Sequence, residues 1–386
     1  MGESIGQWRP MRSPPLIQCV SLNAAGHHPV AWRAPAARSA DPLIGSRFLH
    51  LAGLAEAGGL DIALMGYPAQ SSELAPPESA EAIRLDPLSL AAALIAGTRS
   101  IGLAAVAPAT YLEPFNVARA FSALDLLSRG RAAWCVDIAW RKPDVGNFSR
   151  LADVDPNTLE ARTREFLDVV FALWDSWDEG SLVFDKANAI FTDHTKVRRI
   201  NHVGAFFKVE GPLNSPRPAQ GRPVIILTDS AAGDLVVETA DVVLISPRTM
   251  TEAVGQSRWL KAGAEALGRD LVVLADIMPV LDHAGASGEA RRKTLDALGG
   301  PGEGLSFVGS PAGLADLMQA WVESGACDGF NLRPAVLPDD LLAFVDGAAP
   351  ELRRRGLLAR HGTGATLRER LGLAQPTSRY ALATHG

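Results

Sequence analysis

The chain has 386 residues, 47% of them hydrophobic, with 37 basic against 43 acidic side chains and a formal net charge of −6. That length is long for one ordinary domain but suits a single α/β barrel with insertions. An acidic balance without a basic block excludes nucleic acid and anionic membrane surfaces as expected partners, and with no run of about 18 apolar residues no transmembrane helix is expected.

Residues 1–15 are polar and contain proline, and are expected to form a flexible N-terminal tail. Arg9 and Arg12 are followed by no continuous apolar segment before Leu16, so no secretory leader is expected. From there, apolar runs of strand length alternate with segments of helical period. Strands are predicted at 16–22, 61–65, 101–107, 131–138, 223–227, 242–245, 272–279 and 329–332. Helices are predicted at 45–57, 87–97, 114–127, 158–177, 231–238, 249–266, 311–324 and 339–355. Pro87 and Pro114 fall at first helical positions, and Gly130 lets the chain turn from a helix into the next strand. About eight alternations are the sign of a (β/α)8 TIM barrel. An open doubly wound sheet would favour G-x-G-x-x-G after the first strand, and none is present.

Residues 178–222 carry too little helical pattern for a crossover helix. They read as an inserted subregion after the fourth β/α unit, with short strands around 182–184 and 206–209. The barrel then spans 16–358, and 359–386 forms a C-terminal extension in which 366–373 reads as a short surface helix. Cys19, Cys135 and Cys327 lie far apart without a C-x-x-C pair, so neither a disulfide framework nor a zinc site is expected. They read as small buried residues of a protein at home in a reducing cytoplasm.

Functional groups of such a barrel come from the carboxyl ends of strands and the loops that follow. After the first strand, Gly26-His27-His28-Pro29 offers two imidazoles, a group suited to proton transfer near neutral pH. Adjacent histidines splay apart, so a metal site is not expected and a purely structural role stays open. Trp134, Trp140 and Tyr111 suit a flat apolar wall for a ring ligand, or simply core. Ser230-Ala-Ala-Gly233 opens a helix directly after an apolar strand, where backbone N–H groups attract a phosphate. Ser230 can equally be an N-cap.

Several stretches in order carry a family resemblance: Gly26-His-His-Pro-Val-Ala-Trp-Arg33, Thr110-Tyr-Leu-Glu-Pro-Phe115 and Leu124-Asp-Leu-Leu-Ser-Arg-Gly-Arg-Ala-Ala-Trp134. Leu173-Trp-Asp-Ser-Trp177, the Pro- and Gly-punctuated stretch 203–226, Phe307-Val-Gly-Ser-Pro311 and Asp328-Gly-Phe-Asn331 follow. Over roughly residues 22–373 the chain resembles the flavin-dependent monooxygenases typified by nitrilotriacetate monooxygenase component A and dibenzothiophene-sulfone monooxygenase. These fall within the bacterial-luciferase-like superfamily.

The resemblance implies a homodimeric TIM-barrel enzyme that takes reduced FMN from a separate NAD(P)H:flavin reductase. It would insert one atom of O2 into a small organic substrate and return the other as water. It also implies a flavin pocket of Thr110, Trp134, Cys135, Ser230 and Gly233, with Trp134 and Cys135 at the ring, Ser230 and the helix start at the phosphate, and His28 moving the proton. Departures from the family's pattern fall on this pocket. Cys135 stands for asparagine, the second strand closes in Ala63-Leu-Met-Gly66 without the usual aspartate, and Asp229 adds an acid beside Ser230. Leu159-Glu160 replaces an Arg-Tyr pair at the phosphate, where a carboxylate would repel the anion by about 1 kcal/mol or more. Pro108 replaces a serine at a strained cis peptide, so a cis bond between Ala107 and Pro108 is expected. A flavin-site-degenerate, non-catalytic or regulatory subunit and a deazaflavin-dependent oxidoreductase therefore stay open as alternatives.

Overall fold

The computed structural model describes residues 15–34, 44–66, 85–138, 155–230, 233–300, 302, 304–358 and 365–381. The expected N-terminal tail and Trp140 lie outside this set, apart from residue 15.

Eight parallel strands close into a barrel. Its wall runs β1 (Ile17–Leu22), β2 (Ile62–Met65), β3 (Gly102–Pro108), β4 (Ala132–Asp137), β9 (Val224–Thr228), β10 (Val242–Ile245), β11 (Val272–Leu281) and β13 (Gly329–Leu332). Pairing of β10 with β11 and of β1 with β13 completes the ring. All eight predicted strands lie in this wall in sequence order, as a (β/α)8 barrel requires. The remaining strands, β5 (Leu182–Asp185), β6 (Ile190–Thr192), β7 (His202–Val203) and β8 (Lys208–Val209), form two hairpins of the insertion. A further strand, β12 (Ser306–Gly309), pairs with the outer half of β11.

The helices are α1 (Gly45–Ala57), α2 (Pro87–Leu94), α3 (Pro114–Ser128), α4 (Leu159–Trp174), α5 (Gly233–Thr239) and α6 (Met250–Ala266). They continue with α7 (Gly288–Gly299), α8 (Pro311–Glu323), α9 (Asp339–Ala343), α10 (Ala349–Arg354) and α11 (Leu367–Arg370). Local chemistry sets their ends. Asp86 and Ser310 accept from the backbone N–H three residues on, at 2.7 and 3.1 Å, and Pro87, Pro114 and Pro311 fill first turns. The α3 end unwinds through Arg129 and Gly130, at φ 59° and 81°. The sequence predicts one helix over 339–355, but a π turn at Phe344–Ala348 separates α9 from α10. The sequence prediction lacks α7, which buries only Gly288 and Leu295 and so presents almost no apolar stripe.

Side chains alternate between two cores. Cys19, Ile62, Leu64, Ala104, Ala133, Cys135, Ile226, Leu244 and Leu274 fill the barrel interior. Their neighbours in sequence, among them Val20, Ala63, Leu103, Trp134, Ile225, Val243 and Val273, pack outward against the helices. Both faces of the wall strands are thus buried, which is why they read as unbroken apolar runs.

The C-terminal segment differs from its prediction as a surface helix. Leu367, Leu371 and Leu373 join the interior cluster and close the amino end of the barrel. Leu367 N–H donates to the carbonyl of Gly130, just before β4, and Arg368, 4% exposed, donates to both carboxylate oxygens of Asp241 at 2.9 and 2.6 Å. The floor of the barrel is apolar, so water there would be costly and the charged-looking helix turns its three leucines in. Leu367→Ala should destabilise the protein by about 2–5 kcal/mol. Urea unfolding measures this, and a change below about 1 kcal/mol would mean the floor closes without that side chain.

Candidate active site

The inward parity that buries Cys19, Cys135, Ile226, Leu244 and Leu274, carried two residues further, reaches Ser21, Asp137, Thr228, Ser246 and Asp276. Asn331 pairs in register with both Cys19 and Asp276 and so faces inward with them. Every one of these is polar. The barrel therefore changes from an apolar floor to a polar ring drawn from six of its eight strands, with Gly66 of β2 and Val106 of β3 as the apolar exceptions, at the carboxyl ends where functional groups of this architecture lie.

The ring is wired. Ser21 Oγ donates to Asn331 Oδ1 at 3.0 Å, Asn331 Nδ2 donates to Asp276 Oδ1 at 2.8 Å, and Ser246 Oγ donates to Asp276 Oδ2 at 3.0 Å. The Ser246 N–H donates to Asp229 Oδ2 at 3.0 Å, and the hydroxyls of Thr228 and Ser230 lie 2.6 Å apart. Burial raises the Asp229 carboxyl above the usual carboxylate range, against the bond from Ser246. Burial also pushes the Cys135 thiol far up, with Asp137 and Asp276 adding to it, so Cys135 is held as a thiol rather than a nucleophilic thiolate. Among the described residues no group of three His, Cys, Asp or Glu is placed to hold a metal ion.

Sequence-predicted residues distribute unevenly over this geometry. Thr110, in the turn from β3 to α3, is 1% exposed, and its buried Oγ1 has no hydrogen-bond partner among the described residues. Cys135 sits inside the barrel, one inward position below Asp137. Ser230 lies beside Thr228 at the carboxyl end of β9. Gly233 starts α5 beneath the exposed indole of Trp259, where a Cβ would come within 2.4 Å of the ring edge, so a larger residue there would have to displace that side chain.

Trp134 is a correction. Its neighbour Cys135 takes the interior, so the indole points outward and packs on Phe121, Phe166 and Trp174, with centroids 5.5, 6.0 and 6.3 Å away. It cannot line a ring in the mouth. Its Nε1 instead donates to the carbonyl of Ala107 at 2.9 Å and props the end of β3 from behind.

His28 is also placed away from the ring. It is buried against α7, with Nε2 3.5 Å from Asp296 Oδ1, too long for a good hydrogen bond. Burial lowers its pKa, and Asp296 offsets this only in part. Of the adjacent pair, His27 stays at the mouth, with Nε2 3.0 Å from the carbonyl of Ser21.

Two further expectations change. The peptide between Ala107 and Pro108 is not cis; cis bonds precede Pro212 and Pro338. Glu160 is paired with Arg164 at 3.1 Å, and Arg164 also contacts Glu238, so that carboxylate is partly offset by a shared cation where the sequence predicts bare repulsion. Asp276, Ser21, Ser246 and Asp137 are absent from the sequence-predicted pocket. The signal for them was available as a polar residue two positions beyond the last inward apolar one in β1, β4, β9, β10 and β11, though not in β2 or β3, where Gly66 and Val106 stand.

Comparison with known proteins adds an independent line. The sequence pattern of the family described as luciferase-like monooxygenase matches residues 30–300. N-acetyl-S-(2-succino)cysteine monooxygenase from Bacillus subtilis is 32% identical, over 94% of this chain and 97% of its own. Nitrilotriacetate monooxygenase component A from Aminobacter aminovorans is 30% identical, over 92% of this chain and 96% of its own. The solved structure of EDTA monooxygenase from Chelativorans sp. BNC1 aligns with a TM-score of 0.82 at 25% identity, covering 94% of this chain and 99% of that one.

Proposed function

The chain belongs to the luciferase-like monooxygenase family, and from that premise we propose that it is a reduced-FMN-dependent, two-component monooxygenase acting on a small organic substrate. One observation supports this most directly: a polar ring at the barrel mouth with a buried threonine hydroxyl, that of Thr110, left without a partner among the described residues. A buried, unsatisfied hydroxyl costs about 1–3 kcal/mol and is kept where a ligand satisfies it. An isoalloxazine edge, with carbonyl and ring nitrogen atoms, has the polar groups to do so.

In this reading Thr110 holds the ring edge, while the hydroxyls of Thr228 and Ser230 and the start of α5 at Gly233 face the phosphate. FMN, when bound, supplies the electrons that activate O2. The apolar barrel beneath excludes water from that chemistry. Wired hydrogen bonds hold Asp276, Asn331 and Ser21 in one arrangement before substrate arrives, so little reorganisation is left for the reaction. His27, at the rim, takes the proton-transfer role that the sequence assigns to His28.

A separate NAD(P)H:flavin reductase would deliver the reduced FMN, and the working form would be a homodimer. Three free buried thiols suit a reducing cytoplasm. Among the described residues no helix is long and apolar enough to cross a membrane.

Anaerobic titration with photoreduced FMN tests the assignment. Saturable quenching of tryptophan fluorescence is expected, and Thr110→Val should weaken it about fivefold through loss of one hydrogen bond. The same variant should unfold at a higher urea concentration without FMN, because it removes an unsatisfied hydroxyl. Saturation by a reduced deazaflavin but not by FMN would move the chain to the deazaflavin alternative.

A further inference from the structure

Helix α4 connects the insertion to the barrel mouth through three side chains on one face, spaced i, i+3 and i+4. Arg162, 8% exposed, donates from Nη1 to the carbonyls of Ala109 and Thr110, each at 3.0 Å. Its guanidinium lies 4.6 Å from the ring centroid of Phe207, which leads into β8. One turn on, Glu165 accepts from the backbone N–H groups of Phe206 and Phe207 at 3.1 and 2.8 Å, with His202 Nε2 3.0 Å away. Phe166 meets Phe207 edge-on with centroids 5.5 Å apart. Thus the β7–β8 hairpin is seated on α4 by the same residue cluster that grips the turn carrying Thr110.

We infer that Arg162 is a positioning residue, which fixes the backbone of Ala109 and Thr110, and with it the buried Thr110 hydroxyl, according to how Phe207 of the insertion is seated. It rests on the flavin reading only for what that hydroxyl binds. A guanidinium is suited to this task because its planar fork can bridge two carbonyls from one nitrogen while its face rests on an aromatic ring. Lysine keeps the charge but loses the fork and the flat face, so the turn should loosen without loss of net charge. The Ala109 N–H bond to the Asp137 carbonyl, at 3.0 Å, ties the same turn to the polar ring, so displacement at Arg162 reaches the site. Small displacements of that kind matter where a ligand must be held in one pose.

The test uses the full chain carrying Arg162→Lys, Phe207→Leu, Thr110→Val and the double substitution Arg162→Lys with Thr110→Val. Two quantities are read: amide hydrogen exchange without flavin, and the dissociation constant for photoreduced FMN. Arg162→Lys and Phe207→Leu should each speed exchange over 109–112 about tenfold while the strands β9 to β11 keep their protection. Arg162→Lys should weaken FMN binding by up to about fivefold alone, no more than Thr110→Val itself, and by less than about twofold on the Thr110→Val background, the coupling expected of a residue that acts through another. Unchanged exchange over 109–112, exchange raised equally around the barrel, or binding losses that multiply in the double variant would each overturn the inference. Local exchange that responds as expected in a protein that binds no FMN would uphold the positioning role and reject the flavin reading instead.

Discussion

Asp175→Ala should lower the unfolding free energy by about 3–5 kcal/mol, the cost of breaking a buried ion pair by removing one partner. Asp175 follows α4 and is 0% exposed. Three arginines converge on it: Arg222 at 2.5 Å, Arg217 at 3.2 Å and Arg379 at 3.7 Å, with the Arg379 backbone N–H a further donor at 3.2 Å. Two of these leave the insertion just before β9, and the third belongs to the C-terminal segment. One carboxylate therefore fastens three parts of the chain that are distant in sequence. Arg217 is nearly as buried as its partner, so its charge has little water to turn to once the carboxylate is gone. Asp175→Asn keeps an acceptor for Arg222 and the Arg379 N–H and should cost less than the alanine. Urea unfolding of both variants checks the order, and limited proteolysis should show earlier cleavage near Arg379 in Asp175→Ala. A loss below about 1 kcal/mol would mean that the C-terminal segment is held by its other contacts alone, such as Arg217 to the Pro376 carbonyl.

The second large effect is expected at Asp276. This carboxylate is 4% exposed and accepts from Asn331 Nδ2 and Ser246 Oγ. Asp276→Ala leaves the buried Asn331 amide without its acceptor, at about 1–3 kcal/mol, strips the half-buried Ser246 hydroxyl of the same acceptor at a smaller cost, and opens the centre of the polar ring. We expect a loss of about 2–4 kcal/mol in unfolding free energy and a fall in FMN affinity of at least about tenfold. Asp276→Asn can still accept from Asn331 and, with the Ser246 hydroxyl rotated, donate to it, so its fold should survive. If the asparagine variant binds FMN like the parent, the ring acts through its hydrogen bonds. If even the alanine variant binds FMN like the parent, Asp276 supports the barrel and takes no part in holding the cofactor.

Much of the architecture was legible because its signals are local. Each wall strand is an apolar run of strand length, and helix starts carry their own caps, as Asp86 with Pro87 and Ser310 with Pro311 do. What resisted was direction. Because both faces of each strand are buried, nothing in Ala132 to Val136 distinguishes the inward Cys135 from the outward Trp134. Trp134 reads as a ring wall from its position near a strand end, yet parity turns it to the helices. The histidine pair poses the same difficulty, since two adjacent rings must diverge and the side of α7 on which Asp296 waits is unknown to residues 27 and 28. The C-terminal helix was misjudged for another reason. Its charges suggest solvent, but Arg368 is paired with Asp241, 127 residues earlier, and its leucines meet a floor that exists only once eight strands close.

The barrel, its order of strands, the place of the insertion and, through motifs, the family can all be read from the chain alone. Each of these follows from short-range patterning or from stretches read one at a time. Which polar groups meet at the mouth is set by folding, because Ser21 finds Asn331 across 310 positions and Asn331 finds Asp276 across 55. So is the reach of Arg162 to both Phe207 and the Thr110 turn. Contacts of that kind depend on strand register and barrel closure, which are properties of the assembled sheet rather than of any segment in it.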